Sequence, residues 1–328
     1  MVLVLSKNDL KRVLTMSETI IAVEEAFREL ASGTAVMPTR VSLSMSDKAG
    51  WMGAMPAYLS CAGALTTKIV TSYDHNPSRH GLPTVMALVL LNDPETGKPE
   101  AVLEGTFITA MRTGAASGVA TKYLARRDAY VVGIFGAGAQ ARTQLEAIKE
   151  VRNVKSAIIC DIASERSKRF AEEMSSRLGI DVRAEGSPQG VVEKSDIIVT
   201  ASTSKTPVFN GDQVKAGTHI NAIGSFTPDR RELDDSAIRR SKIVVDLLQA
   251  ALEEAGDVII PLTSGVIRRD HIYAELGEIV SGSKLGRETE REITVFKSVG
   301  LGIQDAAAAN LAYRKALESR VGTTIELS

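Results

Sequence analysis

Three cations stand in segments that are otherwise apolar or hydroxyl-bearing. Lys68 lies in GALTTKIVTS, Arg112 in ITAMRTGAAS, and Arg40 directly after Pro38-Thr39. A buried ammonium or guanidinium is costly unless it meets an anion. That anion could be a carboxylate of the chain, with Glu104 a candidate, or one carried by a small ligand. Arginine suits the second case, because its planar fork matches a carboxylate with two parallel hydrogen bonds. Singly, each of the three reads as a surface charge or structural ion pair. Together they suggest a cationic pocket for a small acid. His75 and His80 sit in a Pro/Gly-rich loop and read as solvated.

A second group carries different chemistry. In VVGIFGAGAQA, Gly136, Gly138 and Ala141 fit G-x-G-x-x-A, after an apolar strand and at the start of a helix. The first glycine allows a tight turn and the second lets the backbone approach a pyrophosphate. The small third residue lets helix and strand pack closely. The helix N-terminus adds free N–H groups and a positive dipole end. A following apolar run, SAIICD, ends in Asp161, 161 − 136 = 25 residues after the first glycine. A carboxylate there accepts the ribose hydroxyls and repels a 2′-phosphate. NAD is therefore favoured, while Arg166 and Lys168 keep NADP open.

These groups need elements to hold them. The N-terminal run Met1–Leu5 reads as a strand followed by helices, and not as a signal peptide. Ser17 reads as a helix N-cap and Gly33 as its stop. Strands then follow at 51–58, 64–72, 84–91 and 101–103. Val41, Leu43 and Met45 alternate with serines, the period of a half-buried strand. A long helix is predicted from about Phe107 to about Arg126. Beyond it, apolar runs at 130–135, 157–160, 196–200, 219–223 and 243–247 alternate with helical or turn segments, the signature of a parallel α/β sheet. The chain closes on an alanine-rich helix at about 304–319. The fold class is thus α/β, with a Rossmann-type dinucleotide domain at 114–302 and an α+β domain from 1–113 and 303–328.

Bulk properties exclude several alternatives. A chain of 328 residues with net charge −1 has no basic excess for nucleic acid. It has no apolar run long enough to span a membrane. Two widely separated cysteines, Cys61 and Cys160, make no disulfide framework and point to the cytoplasm. The four histidines and two cysteines lack metal-ligand spacing, so no metal is expected.

The stretch TTKIVTSYDHNPSRHGLPTVMALVLLNDPETGKPEAVLEGTFITAMRTGAASGVATKYLARRDAYVVGIFGAGAQA resembles the ornithine cyclodeaminase/μ-crystallin family. So do NAIGSFTPDRREL and FKSVGLGIQD. The resemblance implies a homodimer whose dimerisation and substrate domain is built from both chain ends. It implies that Arg40, Lys68 and Arg112 hold a substrate carboxylate, with Lys68 beside the reacting carbon as proton donor or fixed cation, and that Val299 borders the substrate. It further implies that Thr84, Thr113, Ala139, Gln140, Asp161, Thr200, Ile223 and Ser298 line the cofactor.

One position departs from the pattern. Ornithine cyclodeaminases carry an aspartate, which handles the second amine, where this chain has Phe226. A phenyl ring cannot accept a proton, and Asp229 nearby reads as a solvated turn residue. The expected activity is therefore NAD(P)H-dependent reduction of a cyclic 2-imino acid, Δ1-pyrroline-2-carboxylate to L-proline. Alanine dehydrogenase, ornithine cyclodeaminase and a non-catalytic μ-crystallin-like binding protein are the alternatives.

Overall fold

In the computed structural model, residues 1–326 are described. The chain forms two compact units, one of Met1–Arg112 with the segment from Leu301 onward, the other of Thr113–Gly300.

The first unit is built on a mixed sheet. Its strands are β1 (Val2–Leu5), β2 (Ala35–Val36), β3 (Val41–Met45), β4 (Gly50–Leu59), β5 (Ala64–Tyr73), β6 (Val85–Asn92), β7 (Pro99–Glu104) and the C-terminal Thr323–Ile325. The order is Thr323–Ile325, β1, β7, β6, β5, β4, β2, with β3 paired to β4. Only β1 and β7 run parallel. The strand period of two decides where β5 sends its side chains. Ala64, Thr66, Lys68 and Val70 point to one buried face. The helix Gly302–Ser319 lies against β4, β5 and β6, and against the helix Met16–Ser32. Its run Ala306–Ala309 is buried, and such small side chains let a helix approach a sheet closely.

Two local expectations need correction. The helix Met16–Ser32 is capped by Thr15, whose hydroxyl accepts from Glu18 N, and not by Ser17. Gly33 does end it, in the left-handed region at φ 75°. The alternating segment 41–45 is a strand, but Val41 and Leu43 are 69% and 57% exposed, so it is not half-buried within this chain.

The second unit carries eight strands: β8 (Val131–Phe135), β9 (Ser156–Cys160), β10 (Asp181–Ala184), β11 (Ile197–Thr200), β12 (His219–Ala222), β13 (Ser241–Val245), β14 (Ile272–Glu275) and β15 (Ile293–Lys297). Their order is β10-β9-β8-β11-β12-β15-β13-β14, and every pairing is parallel. After β8 the chain builds outward to β10, then returns to place β11 on the other side of β8. That reversal is the switch point of a Rossmann-type sheet. Three strands escape the sequence reading. β10 and β14 are short edge strands with polar ends. β15 is fully buried between β12 and β13 but ends in Lys297, which conceals its burial. Among the described residues no helix is long and apolar enough to cross a membrane, and no group of three or more His, Cys, Asp or Glu could hold a metal.

Candidate active site

In the first unit, β5 turns Lys68 into the interior, where its side chain is 1% exposed. The helix Gly302–Ser319 meets it there with Asp305, whose carboxylate is out of water. Lys68 Nζ stands 2.7 Å from Asp305 Oδ2. The helix Gly105–Leu124 brings Arg112, whose Nε donates to Asp305 Oδ1 at 3.0 Å and whose Nη1 donates to Gln304 Oε1 at 2.6 Å. One carboxylate thus spans two cations. Burial lowers the Lys68 pKa from 10.5 to about 7, assisted by Arg112 and by Arg40, and opposed by Asp305. Arg40 stands before β3, with its guanidinium carbon 6.0 Å from the Trp51 ring centre.

Glu104 is not the partner the sequence suggested. Its carboxylate accepts from Thr106 N and Phe107 N, at 3.0 and 2.8 Å, and so caps the helix Gly105–Leu124. Asp305 and Gln304 were missed. A signal existed, since they open an alanine-rich helix whose small residues imply a buried face. His75, His80 and Asp229 are exposed, as read.

In the second unit, Gly136, Asp161, Thr200, Ile223 and Ser298 each lie at, or one residue beyond, the C-terminal end of β8, β9, β11, β12 or β15. Register aligns those ends: Phe135 with Cys160 and Thr200, Thr200 with Ala222, Ala222 with Lys297. That carboxyl edge is where open parallel sheets bind ligands. Gly136 has φ 96°, and a Cβ there would stand 2.6 Å from Ala201 O. Gly138 caps the helix Ala139–Val151 without a side-chain bond, and nothing lies within 4 Å of where its Cβ would be. The helix N-terminus with Ala139 and Gln140 is therefore open to an anion. Gln140 Oε1 and Thr200 Oγ1 are buried and unpartnered. Asp161 Oδ2 accepts from Ala137 N at 2.8 Å and Oδ1 from Ala163 N at 3.0 Å, so its carboxylate also braces the glycine turn. Thr113 O receives Gln144 Nε2 at 3.0 Å. Thr84, in the first unit, precedes β6, and its carbonyl accepts from Tyr73 N. Within the second unit, the glycine turn, the open helix N-terminus and the unpartnered Gln140 and Thr200 oxygens have the chemistry a dinucleotide needs.

Two buried supports on this edge were not foreseen. Asp246 Oδ2 accepts from Ser298 Oγ, Val299 N and Gly300 N, each at 2.8 Å, and so fixes the turn after β15. Lys297 Nζ donates to Ser225 O at 2.5 Å and pairs with Asp257 Oδ2 at 2.8 Å. Asp257 Oδ1 accepts from Glu232 N and Leu233 N, and Glu232 in turn accepts from Ser202 N and Gly224 N. Burial, with Asp257 nearby, pushes the Glu232 pKa up. Phe226 emerges exposed from the loop these groups hold.

Fold and site define a Rossmann-type dinucleotide-binding protein with a second, α+β unit that carries a buried cation cluster. The family described as ornithine cyclodeaminase/mu-crystallin matches residues 2–320, and the chain belongs to that family. It is 40% identical over 325 residues to a Δ(1)-pyrroline-2-carboxylate reductase of Bacillus cereus, covering 99% of each chain. A solved Δ(1)-pyrroline-2-carboxylate reductase of Thermococcus litoralis, in complex with NADH and L-proline, is 53% identical with TM-score 0.97, covering 98% of this chain and 100% of that one. A solved archaeal alanine dehydrogenase dimer with bound NAD is 41% identical with TM-score 0.94, covering 100% and 99%.

Proposed function

We propose that the chain is an NAD(P)H-dependent reductase of cyclic 2-imino acids, converting Δ1-pyrroline-2-carboxylate to L-proline. The observation that carries this is the buried Lys68–Asp305–Arg112 cluster, in a chain 53% identical to the T. litoralis reductase that holds NADH and L-proline. When bound, the dinucleotide supplies a hydride to the imine carbon. Arg40 and Arg112 hold the substrate carboxylate, and Val299 borders the ring. Lys68 delivers the proton that the imine nitrogen needs. A pKa of about 7 suits that task, because an acid matched to ambient pH both holds and gives up its proton.

The first unit is assigned to substrate and dimerisation, the second to the dinucleotide. Gly136, Gly138, Ala139 and Gln140 take the pyrophosphate, and Asp161 the ribose hydroxyls, favouring NADH over NADPH. Thr84, Thr113, Thr200, Ile223 and Ser298 complete the cofactor lining. Phe226 offers no acid for a second amine, which sets ornithine cyclodeaminase aside. The two free cysteines accord with action in the cytoplasm.

A homodimer is proposed on the sheet face opposite Lys68. Val41, Ala54, Ile69 and Leu88 align in one row across β3, β4, β5 and β6. Val41 and Leu88 are 69% and 52% exposed, and Leu43 and Leu90 extend the apolar patch. Such a face is suited to isologous burial against a second copy.

The test is NADH and NADPH oxidation with the pyrroline and piperideine 2-carboxylates, beside pyruvate with ammonium. Turnover of a cyclic imine with the higher kcat/KM supports the assignment. A higher kcat/KM for pyruvate with ammonium selects alanine dehydrogenase, the activity of the archaeal relative. No reduction of either imine sinks the proposal.

A further inference from the structure

We infer that Asp305 is a positioning residue of the imine reduction: one carboxylate that fixes Lys68 and Arg112 against each other and keeps Lys68 an ammonium. The inference rests on the reductase assignment above and adds to it a group that sets the charge of the proton donor.

The geometry carries it. Asp305 reaches Lys68 with Oδ2 and Arg112 with Oδ1, at 2.7 and 3.0 Å, so each oxygen holds one cation. Both acidic and basic partners are withdrawn from water, so no solvent screening competes with the contact. The charged groups that act on Lys68 are Asp305 from the helix Gly302–Ser319, Arg112 from the helix Gly105–Leu124, and Arg40 from the segment before β3. Its partners on the neighbouring strands, Met55 and Val89, carry no charge. Asp305 is thus the counterweight to two guanidinium groups and to burial, all of which favour the neutral amine. Gln304 supports the arrangement from the same helix turn by accepting from Arg112 Nη1 at 2.6 Å, while its own Nε2 is buried and unpartnered.

The chemistry gives that counterweight a use. Reduction of a neutral imine adds a hydride to carbon and a proton to nitrogen. The proton leaves Lys68 Nζ as the new N–H bond forms, and the neutral amine then recovers a proton from solvent. An amine in place of the ammonium could neither donate that proton nor attract the substrate carboxylate.

Two substitutions move Lys68 in opposite directions. Asp305→Asn keeps shape but removes the anion, and Gln304→Glu adds one beside Arg112 at an atom that now finds no acceptor. Protein labelled with 13C at lysine Cε would be titrated by NMR, with the Lys68 signal assigned by its loss in Lys68→Arg. Asp305→Asn is expected to lower the Lys68 midpoint by roughly one to two pH units, and Gln304→Glu to raise it. The alkaline limb of kcat/KM for the imine should move with each midpoint, and Asp305→Asn should regain rate at lower pH. A merely structural role would reduce the rate equally at every pH. Unmoved midpoints in both variants overturn the inference. Wild-type protein that reduces no cyclic imine sinks the reductase assignment instead, and the titration alone then decides whether Asp305 sets the charge of Lys68.

Discussion

Lys68 Nζ and Asp305 Oδ2 stand 2.7 Å apart, joining β5 of the mixed sheet to the helix Gly302–Ser319 in a contact closed to water. Buried pairs of this kind seldom repay their desolvation. The role proposed for Lys68 can therefore be tested apart from its contribution to folding.

Lys68→Met should therefore separate activity from stability. Folding lowers the Lys68 pKa from 10.5 to about 7, so between those values the unfolded chain binds more protons than the folded one. Lys68 then opposes folding fully at and below pH 7, and the penalty fades as pH rises toward 10.5. Arg112 still pairs with Asp305 in the variant. Imine reduction should fall at least ~100-fold, while Tm at pH 7 stays at or above wild type and the difference narrows by pH 10. Scanning calorimetry at the two pH values, beside the NADH assay, checks this. A large loss of Tm at pH 7 would show that the pair is structural.

Arg112→Lys should weaken substrate binding more than turnover. A lysine cannot engage Asp305 and Gln304 with two nitrogens in a fixed plane and still present a fork to a carboxylate. KM for the imine should rise about 10- to 100-fold, the equivalent of ~1–3 kcal/mol, with a smaller change in kcat. An unchanged KM argues that Arg112 serves the helix contact alone.

Asp161→Ala should alter cofactor preference. It removes the acid proposed for the ribose and the acceptor of Ala137 N and Ala163 N. The ratio of kcat/KM for NADH to that for NADPH should fall by about tenfold, the value of one charge-assisted hydrogen bond. If both cofactors weaken equally, Asp161 only braces the glycine turn.

Val41→Glu with Leu88→Glu should yield monomers. The two side chains sit in one register row and are exposed, and carboxylates facing their own copies repel across a dyad. Sedimentation at low and high salt reads the outcome. Dimers that persist place the interface elsewhere.

His219 should govern part of the acid sensitivity. It is fully buried beside Thr294 and Asn221, and burial with Arg287 lowers its pKa from 6.5 to about 3. The folded state keeps it neutral while the unfolded state takes up a proton below 6.5, so stability is lost as pH falls from about 6.5 toward 3. His219→Gln should flatten that loss in urea titrations at pH 7 and pH 5. An unchanged slope would assign the acid sensitivity to other groups.

The sequence by itself determined the local frame. The β-branched run in GALTTKIVTS marked a strand with one lysine in it, and the strand–glycine–helix pattern with Asp161 marked the second unit as a dinucleotide fold. Both are short-range signals, because a strand's pleat and a turn's glycines constrain neighbours a few residues apart. Alternation also marked Val41 and Leu43 as one apolar face, but period alone cannot say whether a face is covered by the same chain.

Only the tertiary structure decided which anion answers Lys68. Glu104, near in sequence, spends its carboxylate on a helix cap, whereas Asp305 arrives on a helix from the far end of the chain. The same holds for Lys297 with Asp257 and for Asp246 beneath Ser298. A charge is tolerated in the interior only where folding delivers its partner, and that delivery depends on which distant elements share a face, which no local pattern encodes.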